Sequence, residues 1–283
     1  MLSCLKCSAQ IPETVEKCVT CGFYAGPPNV RAATVDEEVR ALEDRYQTAR
    51  TAALRRGRLA FFEKFQDSLQ ESSAVINANA RALYSFVTDE KSLYANYEHG
   101  VDGCLRKPAT FRQDAERRGI GSTLFGTYAS EIIYAALSLT GFGLHSYGAY
   151  AMKLKEVAIK ERATLLETNS FKFVREHRLT PGGSSPPGYR APWKERGRLA
   201  VVKLTPYITS SIADDDISQL LLSSSGDRAS DEYIEVHIYG TFDLNAIESV
   251  TGNSNAGSRN DRDLLRMTKQ HLKKVGIPWI END

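Results

Sequence analysis

D-E-Y-I-E-V-H-I-Y-G, residues 231–240, alternates strictly: Tyr233, Glu235, His237 and Tyr239 fall on one parity, Ile234, Val236 and Ile238 on the other. Such alternation predicts a half-buried β-strand. One of its faces is plain aliphatic. The other carries a carboxylate, an imidazole and two phenols, so it either meets solvent beside ordinary loops or lines a cleft.

Upstream, D-D-D-I-S-Q-L-L-L from position 214 reads as a capped helix, and L-A-V-V-K-L (199–204) as the start of another strand. Residues 181–198, P-G-G-S-S-P-P-G-Y-R-A-P-W-K-E-R-G-R, are a loop by composition. Between positions 172 and 198 there are seven Lys or Arg against two Glu, so the loop is locally basic. Strands are expected at 133–138 and 149–154 around a glycine-rich turn, and at 74–77 before a turn and a helix. Residues 111–130 are charged and then glycine-rich. Downstream, R-N-D-R-D-L-L-R-M-T-K-Q-H-L-K-K-V-G reads as a helix with a basic end and a glycine stop, before a short strand I-P-W-I. Irregularly spaced helices and strands argue for an α+β fold rather than a regular βαβ sheet.

The N-terminal half of the chain starts differently. Cys4, Cys7, Cys18 and Cys21 form C-x2-C-x10-C-x2-C, with only Cys104 apart. Two such knuckles supply four thiolates to one tetrahedral zinc, because each short turn brings both sulfurs to one side. With all four positions used as ligands the site is closed and structural; a disulfide pair is the alternative reading. G-P-P-N (26–29) follows as a short stiff linker. Residues 34–70 then turn helical, opening on a threonine cap and acids in the first turn, with Val35, Val39, Leu42, Tyr46, Ala49 and Ala53 as the apolar stripe. Gly57 marks a kink. Arg45, Arg50, Arg55, Arg56 and Arg58 form a cluster that meets either phosphate or solvent.

The 283 residues have 42% hydrophobic and 25% charged content and a net charge of +1, the balance of an ordinary globular protein. Any nucleic-acid footprint is therefore local. The longest mostly apolar stretch, from Ile132, is too short to span a bilayer, and M-L-S-C-L-K-C lacks the features of a signal peptide. These readings predict a cytoplasmic protein without a membrane partner.

Several blocks in order carry a resemblance. Y-G-A-Y-A-M-K-L-K-E-V-A-I-K-E-R-A-T-L-L-E-T-N-S, L-F-G-T-Y, I-Y-A-A-L-S, Y-I-E-V-H-I-Y-G-T-F-D-L-N-A-I-E-S-V and G-I-P-W together resemble bacterial ADP-ribosyltransferase-like domains. The chain is thus expected in three parts: a zinc ribbon at 1–28 from the cysteine spacing, a helical connector at 29–71 and, as the resemblance implies, a transferase-like domain at 72–283. The resemblance also implies NAD+ as co-substrate, split at the nicotinamide–ribose bond, with ADP-ribose passed to a protein side chain or a nucleobase.

Glu235 matches the family's strand acid, which faces the oxocarbenium-like transition state. Many members place that acid second in an E-x-E or Q-x-E pair; here His237 takes that place if the register shifts by two. The resemblance carries cofactor binding over to Arg81 and Asn77 on the first strand, with Asn79 beside them. It makes Ser138 and Thr164 the residues that brace the acid, and Tyr134 or Tyr147 the stacking ring. Tyr128 and His145 remain unassigned neighbours. A toxin-type or phage-defence effector acting on RNA or DNA bases is the expectation, with an antitoxin or inhibitor as partner. A protein target and an inactive binding module are the alternatives.

Overall fold

The computed structural model describes residues 2–12, 14–89, 92–103, 107–209, 217–223 and 231–282. The expected helix cap at 214–216 and Cys104 lie outside the described residues. The chain opens with β1 (Leu2–Ser3) and β2 (Gln10–Ile11), then α1 (Pro28–Ala33), α2 (Asp36–Arg55) and α3 (Leu59–Ser68). Next come β3 (Ser73–Ala78), α4 (Ala80–Thr88), α5 (Tyr97–Asp102), α6 (Phe111–Phe125), β4 (Ile132–Ser138) and β5 (Tyr150–Leu154). They are followed by α7 (Glu156–Ile159), β6 (Ala163–Leu166), α8 (Ser170–Glu176), β7 (Arg190–Pro192) and α9 (Arg196–Leu204). The last elements are α10 (Ile217–Leu221), β8 (Leu222–Ser223), β9 (Glu232–Tyr233), β10 (Glu235–Tyr239), β11 (Ile247–Gly252), α11 (Arg259–Lys274) and β12 (Trp279–Glu281). The class is mixed α+β.

Eight strands form one sheet in the order β12-β11-β5-β3-β4-β10-β6-β7. Only β11 and β12 run parallel; the other pairs are antiparallel. Cross-strand partners share a face, so the register sorts side chains into two sets. Ile76, Ala135, Ile133, Met152, Leu165, Val236 and Ile238 lie on one face and join the main core. Leu42, Ala49 and Ala53 of α2, Phe62 and Phe65 of α3, Leu83 and Phe86 of α4, Leu199 of α9 and Leu265 and Leu272 of α11 cover that face. Each fully buried Leu or Phe there contributes roughly 1.5–3 kcal/mol. The opposite face carries Asn77, Tyr134, Ser138, Thr164, Glu235 and His237, with two small apolar clusters over it among the described residues.

This arrangement corrects the half-buried reading of β10. The strand lies between β4 and β6, and all of Glu235, Val236, His237 and Ile238 are buried. Alternation correctly separates the two faces, but it cannot tell that helices cover both.

Three other expectations change. Residues 199–204 are helical, not extended: they belong to α9, which packs against α2 and α3 and buries Leu199, Ala200, Val201, Val202 and Leu204. A short apolar run buried all round has no period that distinguishes helix from strand. The segment 181–198 takes up regular structure from β7 onward, where Thr164, Leu165 and Leu166 pair with Pro192, Ala191 and Arg190.

The helical block at 34–70 begins at Asp36 and breaks at Arg55, with Gly57 at φ 68° before α3. Thr34 does not cap it. Its hydroxyl turns back to the carbonyls of Val30 and Arg31, closing α1. Val35 and Val39 of the expected stripe are exposed, while Leu42, Ala49 and Ala53 are buried. Among the described residues, no helix is long and apolar enough to cross a membrane.

Candidate functional site

Glu235 opens β10 and points into the face opposite the main core, only 6% exposed. A carboxylate placed there must be matched by donors, or desolvation would cost several kcal/mol (roughly 1–3 per lost partner). It is matched. Oε2 accepts from the Ser170 backbone N–H at 2.8 Å, from the Ser170 hydroxyl and from His237 Nε2 at 3.0 Å. Oε1 accepts from the Tyr233 hydroxyl at 3.3 Å. Ser170 is the first residue of α8, so its N–H is one of the helix's unpaired amides turned toward an anion. Because a carboxylate only accepts, His237 Nε2 carries the proton in this contact.

A second layer holds the first. Asn169, the cap of α8, accepts from Phe171 N at 2.8 Å and donates to the Tyr233 hydroxyl at 3.0 Å and the Tyr147 hydroxyl at 3.3 Å. The two phenol oxygens lie 3.2 Å apart. Burial, and then the neighbouring Glu235 charge, push the Tyr233 phenol well above its ordinary pKa, so it stays a neutral donor. Tyr134 is raised for the same two reasons in the same order. The His237 ring is clamped edge-to-face by Phe125 at 4.8 Å and Tyr134 at 5.3 Å between ring centres.

His237 reaches a shallow, open cleft between β6, α6, α8 and the segment before β7, with about 20 Å³ of space within its walls. Phe125, Tyr128, Phe173, Tyr189, Thr164 and Arg190 line it with His237, and Asn29 joins them from α1. Glu235 stands behind His237 rather than in the lining. The segment before β7 is fixed to α2: buried Glu38 accepts from Gly188 N at 2.6 Å and from Arg190 Nε. Gly188 has φ 82°, and a Cβ there would come within 2.7 Å of the Ala41 backbone, so only glycine permits that approach.

The residues expected from the sequence divide clearly. Tyr134, His237 and Thr164 are opposite one another across β4, β10 and β6, so the register does bring these three together. Tyr147 joins through Tyr233. Thr164 does not brace Glu235; its hydroxyl accepts from Asn29 Nδ2 at 3.3 Å. Ser138 lies beyond the stretch of β4 that pairs with β10, opposite Ser73 of β3, and accepts from Gly141 N at 3.2 Å, bracing the glycine-rich turn. Asn77 does similar work, bonding Gly148 O at 2.9 Å and Leu144 N at 2.8 Å. A Cβ on Gly143 would lie 1.8 Å from its Oδ1, which explains glycine in that turn.

Asn79 caps α4 through Ala82 N, and Arg81 is exposed on that helix, away from the network. The brace for Glu235 is Ser170, which sits inside the quoted E-T-N-S block without a role assigned to it. Asn29, Asn169 and Phe125 were missed. Asn29 gave no signal beyond its place in G-P-P-N.

The basic segments are largely committed inside the molecule. Arg45 pairs with Glu167 at 2.5 Å and lies 3.8 Å over the Tyr189 ring; Arg50 pairs with Glu63 at 2.8 Å, and Arg56 donates to Thr205 O at 2.8 Å. In the 172–198 stretch, Lys172 meets Glu232, Arg175 meets Glu116, Arg190 meets Glu38 and Arg198 meets Glu43.

The four cysteines form a separate centre. Their sulfurs all lie within 4.8 Å of one another, with Cys4–Cys21 and Cys7–Cys18 at 3.6 Å. Four thiolates about 2.3 Å from one metal at tetrahedral angles are about 3.8 Å apart. A disulfide would need about 2.05 Å. The donor set therefore fits a tetrahedral metal ion such as zinc, and no sulfur is left for an open coordination position. Cys4, Cys18 and Ile11 are the only fully buried apolar groups of this module among the described residues.

No protein-family model matches the chain, and no curated protein matches it.

Proposed function

We propose that the chain is an NAD+-dependent ADP-ribosyltransferase whose four cysteines hold a structural zinc ion. The carrying observation is Glu235: a buried carboxylate on a central strand, oriented by Ser170 and joined to His237 at the wall of an aromatic cleft. In this reading the C–N bond between nicotinamide and ribose breaks, and its electron pair leaves with the neutral nicotinamide. The ribose carbon gains positive charge and bonds the acceptor, whose proton passes to the His237–Glu235 pair. A fixed negative charge held by preset donors favours that transition state over the ground state.

The proposed acceptor is a nucleic-acid base of RNA or single-stranded DNA, with a protein side chain as the second choice. The internal pairing of the basic segments transfers the argument for nucleic acid to the cysteine module and to the exposed Arg259 at the start of α11. An enzyme that consumes NAD+ would require a restraining antitoxin or inhibitor partner. A second reading has its own observation: all four donors on Glu235 are intramolecular, and His237, not the acid, lines the cleft. That favours a binding module in which the network is structural.

Purified protein incubated with labelled NAD+ and separate pools of RNA, DNA and cell protein decides between them. Label in one pool, reduced about a hundredfold or more by Glu235→Gln, supports transfer and names the acceptor class. Equal labelling by wild type and variant would remove Glu235 from the mechanism. NAD+ binding with no nicotinamide release would favour the binding module.

A further inference from the structure

Asn29 is 3% exposed, lies outside the segment that resembles a transferase, and lines the cleft. Its Nδ2 lies 3.1 Å from Arg162 O, 3.1 Å from His237 O and 3.3 Å from Thr164 Oγ1. Two of these partners are backbone carbonyls, which only accept, so the nitrogen must be the atom facing the strands. The amide orientation is thereby fixed. Oδ1 is left buried with no partner among the described residues. A buried carbonyl oxygen without a donor costs about 1–3 kcal/mol, so it calls for an N–H or O–H that the described residues do not supply.

The lining around it is aromatic: Phe125, Tyr128, Phe173 and Tyr189 present rings that suit a flat partner. We propose that Asn29 is a ligand-binding residue of the cleft, its Oδ1 accepting an N–H from a flat ring that bears an amide or amino group. The identity of that ring rests on the NAD+ reading above. In NAD+ the chemistry has two sources, the nicotinamide carboxamide and the adenine amino group. The consequence is a composite cleft, with one polar contact delivered by the segment just after the cysteine module. Arg31, in the last turn of α1, ties that segment to the module through Pro12 O at 3.2 Å and Val15 O at 2.6 Å.

The test uses the full chain with ¹⁵N-labelled asparagine and three dinucleotides. They are NAD+, nicotinic acid adenine dinucleotide, in which a carboxylate replaces the carboxamide, and nicotinamide hypoxanthine dinucleotide, in which a carbonyl replaces the amino group. The Asn29 side-chain resonance is expected to shift with NAD+, and one analogue to bind about tenfold more weakly. The weaker analogue names the source. Asn29→Ala should erase that difference, while Thr164→Val, which keeps Oδ1, should retain it.

If Asn29→Ala does not fold, the wild-type resonance and the wild-type affinities still decide. Equal affinity for all three dinucleotides, or an unmoved Asn29 resonance, overturns the inference; NAD+ binding in that case leaves the transferase reading standing. A shift with discrimination but no nicotinamide release upholds the inference and sinks the transferase. No binding by any of the three overturns both.

Discussion

The cysteine module and the Glu235 network are both buried polar assemblies, but they are specified differently. The cysteines lie within one short segment, with at most 17 positions between first and last, and their own apolar core is three residues. Such a module buries too little to fold alone, so a bound metal would hold it together. Ser170 and Glu235 are separated by 65 positions, and Tyr147 and Tyr233 by 86. These groups meet because an eight-stranded sheet and the helices over it have already formed. One assembly depends on an ion, the other on a large core.

The largest expected effect breaks the two apart. A strong chelator should strip one zinc ion per chain and collapse amide-exchange protection over residues 2–25, removing on the order of 10 kcal/mol of metal-linked stability. Protection in β10 should persist, because its neighbours β4 and β6 are packed by the main core. Hydrogen exchange with mass spectrometry reads both regions in one sample. Simultaneous loss in β10 would show that the two assemblies are a single cooperative unit.

The contrast also explains what could be read in the sequence. Ligand spacing is a local quantity, so the four cysteines were visible at once. Alternation at 233–239 is local too, and it assigned Glu235 and His237 to one face correctly. What alternation could not supply was the identity of the groups brought to that face from elsewhere. Thr164 was expected to brace Glu235, but the register sets it opposite His237 and leaves Ser170 to meet the acid. Arg81 was expected on the first strand, which ends at Ala78 before Asn79 caps the next helix. Asn29 looked like linker because nothing nearby in sequence needs its amide; its partners are at 162, 164 and 237. Residues 199–204 failed for a different reason, since helix and strand both suit a six-residue apolar run.

An intermediate effect comes from titration. Burial lowers the Lys203 ammonium to about 8, against the opposing pull of Glu167, although its Nζ donates to Tyr233 O at 2.9 Å and lies 3.5 Å from Glu232. Between pH 8 and its ordinary value of about 10.4, the unfolded chain holds a proton that the folded chain has released. Stability on the sheet side should therefore rise with pH across that window, by on the order of 3 kcal/mol. Tyr134 and Tyr233, both raised, act in the opposite direction at still higher pH. Denaturant melts of wild type and Lys203→Met from pH 7 to 10 isolate the lysine; parallel curves would refute its burial as the cause. The cysteine module should respond at the other end of the scale, losing its metal as acid protonates the thiolates.

The smallest expected effect is the sharpest test of the network itself. Ser170→Ala removes the hydroxyl but keeps the backbone N–H on Glu235 Oε2, so the loss should be about 1–3 kcal/mol. Glu235→Gln, which turns an amide N–H₂ toward groups that donate, should cost a similar amount. If Ser170, Glu235 and His237 act as one hydrogen-bonded unit, the double variant should lose less than the sum, with a coupling of about 1 kcal/mol or more. Strict additivity would mean that the carboxylate finds other donors when Ser170 is shortened. Glu235 would then be a buried charge satisfied by whatever surrounds it, and the orientation that transfer chemistry demands of it would have no structural source in α8.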